Sequence, residues 1–108
     1  MIIVCQKLLK NTKITGIAIF PFIFLRKKAD KTNKKLVNHE KIHLRQQLEL
    51  GLVFFYLWYV LEFYYRLYQY KNPHLAYINI CFEREAYANE SNLHYLKERS
   101  FWAFLKYK

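Results

Sequence analysis

The pattern of apolar positions changes character along the chain. Ile14 to Leu25 reads ITGIAIFPFIFL, rich in β-branched and aromatic residues and interrupted by Gly16 and Pro21, which is strand material. Pro21 has no N–H to give to a sheet ladder, so it marks an edge position or a break between two short strands. Ile2 to Val4 offers a further short strand. From Lys35 to about Tyr70 there is no Pro and, of the glycines, only Gly51, which predicts one long helix or two nearly continuous ones, with Asn38 as a candidate cap. His39, His43, Gln46 or Gln47, and Leu50 follow one face of that helix. Beyond Gly51 the segment FFYLWYVLEFYYRLY is apolar nearly all round, as expected of a helix buried on several sides or lying at an interface. Asn72-Pro73 ends it. His74 to Ile80 reads as a short helix or turn, Phe82 to Arg99 as a second major helix, and Trp102, Phe104 and Tyr107 as a tail that packs back. The expected class is α+β: a small N-terminal antiparallel sheet or hairpin packed on a long helix and on a second, glutamate-bearing helix.

At 108 residues the chain is expected to form one domain, 1–108, with a modest core. Apolar residues make up 54%, ample for burial, so disorder is disfavoured. With Gly and Pro at two each, a many-stranded sandwich is disfavoured too. The net charge of +10 concentrates in a basic loop, 26–35, carrying Arg26, Lys27, Lys28, Lys31, Lys34 and Lys35. Such a patch attracts phosphate-rich partners or serves as a solvated linker. Nucleic acid is the weaker partner, because the aromatics lie in helix-core runs and do not alternate with basic residues on a stacking platform. Peripheral membrane contact through loop 26–35 and the aromatic helix 50–68 fits better. The apolar stretches Ile14 to Leu25 and Leu50 to Leu61 are each about 12 residues, short of the roughly 18 to 20 that span a bilayer. Extending the second would carry Glu62 and Arg66 into hydrocarbon. Cys5 and Cys81 lack CxxC spacing, and the start has no basic n-region before its apolar run. The expected location is therefore cytoplasmic, with membrane association open.

The chemistry concentrates in His39-Glu40-Lys41-Ile42-His43. In this HExxH spacing, on a helix, two histidines project from one face and can grip one zinc ion, with Glu40 beside it as candidate general base. A catalytic zinc site usually takes a third protein ligand and keeps one open position. The metzincin pattern would supply it six residues after the second histidine, past a glycine. Gln46 and Glu49 stand there instead. The dense carboxylate cluster downstream is Phe82-Glu83-Arg84-Glu85-Ala86-Tyr87-Ala88-Asn89-Glu90. Glu83 and Glu85 lie about 200° apart on a helix, so one should face the ion and the other face outward or pair with a base.

HEKIH followed by Glu83-Arg84-Glu85-Ala86-Tyr87 resembles the gluzincin type of zinc metallopeptidase. More narrowly, it is similar to minigluzincins and to the catalytic domains of related integral-membrane peptidases, in which HExxH pairs with E-x-x-A-D. The resemblance implies a small sheet, an active-site helix and a second helix that supplies a glutamate. Matching Ala86 to the motif's alanine implies zinc held by His39, His43 and Glu83. Tyr87 departs from the motif's Asp, and an E-x-x-x-[DN] register would choose Glu85 with Asn89. The implied activity is hydrolysis of peptide bonds in a peptide or protein substrate through a zinc-bound water, with Glu40 as general base. An edge strand within Ile14 to Leu25 could bind substrate by strand addition. Ten tyrosines leave the oxyanion-stabilising group unassigned, and His74 and His94 read as surface or core histidines. The alternative is a catalytically silent or latent zinc scaffold that contacts a membrane surface or a protein, its site too open or blocked by the tail Phe101 to Lys108.

Overall fold

The computed structural model describes residues 2–4 and 15–108; Cys5, with any pairing to Cys81, and Ile14 lie outside them. The described strands are β1 (Ile2–Val4), β2 (Gly16–Ile19) and β3 (Phe22–Leu25), in the order β1-β3-β2. β2 and β3 form the expected antiparallel hairpin, with Ile17 opposite Phe24 and Ala18 opposite Ile23. β1 joins parallel to β3, Ile3 opposite Phe24, so the sheet is mixed, with β3 central and β1 and β2 at its edges among the described residues. Pro21 falls in the turn between β2 and β3, after a cis Phe20-Pro21 peptide, where its missing N–H costs no ladder bond. The strand period of two puts Ala18, Ile23 and Leu25 on one buried face.

Part of the basic loop winds into a 3₁₀ turn, Lys28–Thr32, and leads into α1 (Lys34–Leu50). The cap of α1 is Asn33, whose side chain accepts the Leu36 N–H at 3.1 Å. Asn38, the candidate cap from sequence, instead lies a turn inside the helix. It is buried and donates to the carbonyls of Glu90 at 2.9 Å and Asn92 at 3.0 Å. α1 ends at Gly51, whose φ of +85° suits a residue without Cβ, and the chain bends by 112° into α2 (Leu52–Tyr70). Among the described residues no single helix is long and apolar enough to cross a membrane; α1 and α2 pass that test only as this bent pair.

α3 (Pro73–Ile78) starts on an Asn72 cap that accepts from the N–H groups of His74 and Leu75. α4 (Cys81–Asn89) follows, and then, after a turn, α5 (Tyr95–Glu98) and a 3₁₀ turn at Ala103–Tyr107. The single long helix expected from Phe82 to Arg99 is thus cut after Asn89. Asn89-Glu90-Ser91-Asn92 is rich in turn formers, and Asn38 takes carbonyls there that a continuing helix would need. Phe55, Ile80, Cys81, Phe82 and Phe104 form the central buried cluster. The Phe82 ring lies 4.5 Å from Phe55 and 5.0 Å from Phe104, centroid to centroid. Burial of each such ring stabilises by up to about 3 kcal/mol. These contacts clamp α2, α4 and the tail together, as the expected packing of Phe104, Trp102 and Tyr107 required. The architecture is the expected α+β class.

Of the two readings that the sequence left for α2, burial on several sides is not found. Phe55 is its one fully buried residue, and its outer face, from Val53 to Tyr68, is exposed. No described element covers that side.

Candidate metal centre

The i, i+4 spacing on α1 sets His39 and His43 one above the other, and α4 crosses them with Glu83 in its first turn. All three side chains are buried. The two Nε2 atoms are 3.2 Å apart, and each lies 3.1 Å from Glu83 Oε1. Zinc held at about 2.0–2.1 Å by N and O donors in a tetrahedron spaces its ligand atoms by roughly 3.3 Å. The triangle found here therefore has the dimensions of one face of such a site, and these three residues could hold a metal ion.

The far side of each ring fixes its tautomer. His39 Nδ1 lies 2.9 Å from Glu90 Oε2, and His43 Nδ1 lies 2.8 Å from Gln46 Oε1. The Gln46 amide is oriented by its other end, which donates to Phe82 O at 3.1 Å and to Glu85 Oε1 at 2.9 Å. Both partners of the Nδ1 atoms are acceptors, so each Nδ1 carries the proton and each Nε2 keeps a lone pair. Glu83 Oε2 accepts the Tyr59 hydroxyl at 2.6 Å, which aims Oε1 at the histidines. Two lone pairs and a carboxylate oxygen converge with no hydrogen between them. Such a cluster calls for a positive charge at its centre, a metal ion or a proton, and with a histidine protonated the same contacts are ion pairs. Without a metal a proton takes that place: burial pulls His43 down, but the Glu83 carboxylate outweighs it and holds the imidazole up at about 9. For Glu83 burial acts upward, and His43 and His39 outweigh it, holding the carboxyl well below its usual range.

Glu40 is buried beside the pair, and among the described residues no hydrogen bond ties its carboxylate. Burial raises its pKa above the ordinary value against the opposing pull of His43 and His39. A carboxylate with raised proton affinity and free lone pairs, facing a cavity, is suited to move a proton. That cavity measures about 540 Å³, and Thr15 to Ala18 of the sheet edge, Tyr56 and Tyr59 of α2, and Tyr77 and Tyr87 wall it around the cluster. This is the size of an ordinary ligand cleft. The tail does not line it; Phe104 packs instead against Phe82 and Trp58, so of the two ways the alternative reading offered to silence the site, blocking by Phe101 to Lys108 is not found.

Glu85 is turned the other way. It is fully buried against Arg99, whose Nη2 donates to Oε1 at 3.1 Å, and it also accepts from Gln46 and from the Tyr95 hydroxyl at 2.6 Å. Arg99 reaches on to Glu49 Oε2 at 2.7 Å. Tyr87 sets its ring edge against His39, centroids 4.5 Å apart, and its hydroxyl 2.9 Å from that of Tyr77. The carboxylate partner of His39 is Glu90, which sequence reasoning missed although it lies seven residues from Glu83, two turns along the same face. Gln46 stood on the right face without a role. Nothing in the sequence singled out Tyr59. His74 and His94 are exposed and lie outside the cluster. The open edge of β2 is partly occupied, because the Ala18 carbonyl accepts from Gln47 Nε2 at 2.7 Å and from the Tyr56 hydroxyl.

No family model, curated protein or solved structure matches the chain.

Proposed function

We propose that the chain is a zinc-dependent peptidase of gluzincin type, with His39, His43 and Glu83 as metal ligands and Glu40 as general base. The observation that carries this reading is the convergence of both Nε2 lone pairs on Glu83 Oε1 beside a buried Glu40 that no described residue hydrogen-bonds. Bound there, zinc supplies the charge that polarises a scissile carbonyl and acidifies water. Glu40 takes the proton of the attacking water and delivers it to the leaving amine. Glu90 and Gln46 hold the imidazoles in the Nδ1–H tautomer throughout. An extended peptide lies along β2 at Thr15 to Ile17, the part of the edge that Gln47 and Tyr56 leave open. Tyr56 is committed to Ala18 and Tyr59 to Glu83, which leaves the Tyr77–Tyr87 pair: one hydroxyl donates to the other, and the acceptor of that bond keeps its own O–H for a developing oxyanion.

Metal analysis and cleavage of an unfolded protein substrate test the reading, with wild type and Glu40→Ala compared. Both are expected to bind one zinc, and the variant to cleave about 10²–10⁴-fold more slowly. Equal zinc in both with no cleavage by either would transfer the reading to a latent zinc scaffold.

A further inference from the structure

The outer face of α2 carries a second feature, independent of the metal cluster. Val53, Leu57, Val60, Leu61, Tyr64 and Tyr68 are between 47% and 83% exposed. At 100° per residue they fall within an arc of roughly 100° that runs about 23 Å along the helix. Phe54 and Tyr65 widen the stripe on one side, where they border a groove shared with Trp102, and Phe101 beside Trp102 is 76% exposed. The stripe is uncharged. The one acid of α2, Glu62, is turned inward and paired with Arg66 at 3.1 Å. Monomeric proteins seldom leave so long an apolar face uncovered.

The charge around it selects the occupant. Of the eight acidic residues, Glu98 alone has an exposed position, whereas Lys71 just past α2 and Lys106 and Lys108 in the tail beyond Trp102 are exposed; the exposed lysines from Lys27 to Lys35, in the segment before α1, add to the positive charge of the molecule as a whole. A second copy would bring the same cationic surface against itself with almost no carboxylates to answer it. An anionic bilayer supplies both the hydrocarbon that the stripe matches and the negative charge that the lysines match. Tyrosines crowd the C-terminal half of the stripe, and such rings, apolar with a polar tip, settle at headgroup level.

We propose that α2 lies along the surface of an anionic lipid bilayer, with the stripe from Val53 to Tyr68 sunk into the headgroup layer. Phe55 and Tyr59 point roughly 160° away from the centre of the stripe, so the cavity at Glu83 stays on the aqueous side of the helix.

Vesicle flotation of the full chain tests this. Wild type is expected to float with equimolar phosphatidylcholine and phosphatidylglycerol, and to bind phosphatidylcholine alone at least about tenfold more weakly. Leu57→Asp combined with Leu61→Asp should weaken binding to the anionic vesicles by about a hundredfold. Leu93→Asp, at a half-exposed leucine outside α2, should leave it unchanged. Both leucines of the double variant are exposed, so its circular dichroism should match wild type. Equal loss in Leu93→Asp overturns the proposal. So does wild type that fails to float: if it self-associates in sedimentation velocity through Leu57 and Leu61, the stripe belongs to a second copy, and if it does neither, to a protein partner.

Discussion

Glu83 and Glu85 stand two residues apart on α4, both buried, and their surroundings differ in what they leave unfinished. Around Glu85 both carboxylate oxygens are answered: the Arg99 guanidinium, the Tyr95 hydroxyl and the Gln46 amide all donate to it, and Glu49 takes the rest of Arg99 through Oε2, leaving only its own Oε1 without a partner among the described residues. Around Glu83 one oxygen is satisfied by Tyr59, and the other meets two histidine nitrogens whose protons lie on the far side of their rings. A buried carboxylate that is fully paired holds a fold together; one that faces only lone pairs asks for a cation. Gln46 touches both regions, accepting from His43 and donating to Glu85.

The largest expected effects break the two sides apart. Glu83→Ala removes one of three ligands from a centre of a kind that binds zinc with about 10–16 kcal/mol, so affinity should fall about a thousandfold in competition with a chelator. Glu85→Ala leaves the Arg99 charge buried with Glu49 as its remaining carboxylate partner. Urea unfolding in the presence of chelator should show a loss of about 3–5 kcal/mol, with one zinc still bound by the folded fraction. If both variants lose zinc alike, or lose stability alike, the distinction between the two carboxylates fails.

A smaller effect follows from pH. In the presence of chelator, His43 is held at about 9 against an ordinary 6.5 by Glu83. The stability this proton contributes is complete below about 6.5 and is lost as pH rises through about 9. The urea midpoint of the metal-free chain should therefore fall across that interval, and Glu83→Ala should flatten the fall. Excess zinc should reverse the trend, since deprotonated nitrogens bind it better as pH rises.

The parts that were legible from sequence are those set by local spacing. The i, i+4 histidines, the break at Gly51, the turn at Pro21 and the α+β layout each depend on neighbours within a turn or a strand. What escaped depends on partners far along the chain. Asn33 and Asn38 are equally good caps by type, and only the carbonyls of Glu90 and Asn92, more than fifty residues on, decide that Asn38 is a clamp between helices. The same clamp ends α4 early. Parallel pairing of β1 with β3 is likewise non-local. Glu83 and Glu85 could be placed on opposite sides of a helix, but which side met the histidines was a matter of resemblance. Glu90, two turns beyond Glu83, was legible and overlooked; Tyr59 was not legible among ten tyrosines. For α2, a segment apolar nearly all round could not reveal which face the fold would leave uncovered.

The smallest expected effect sharpens the comparison at the residue that belongs to both regions. Gln46→Leu removes the acceptor that holds His43 in its Nδ1–H form, and zinc affinity should fall by about 10–100-fold. It also strips a donor from Glu85 Oε1 and from the Phe82 carbonyl, both buried, at a cost of about 1–3 kcal/mol. Glu90→Ala makes a matching change at His39, but on the other side Glu90 meets only Lys35, an exposed ion pair at 3.6 Å. Such a pair contributes about 0–1 kcal/mol. Glu90→Ala should therefore weaken zinc comparably while lowering the metal-free urea midpoint less than Gln46→Leu does, since the buried group it strands is the His39 Nδ1–H alone. A Gln46→Leu protein that loses zinc affinity with no loss of metal-free stability would show that the two carboxylate regions are independent, and that Gln46 serves His43 alone.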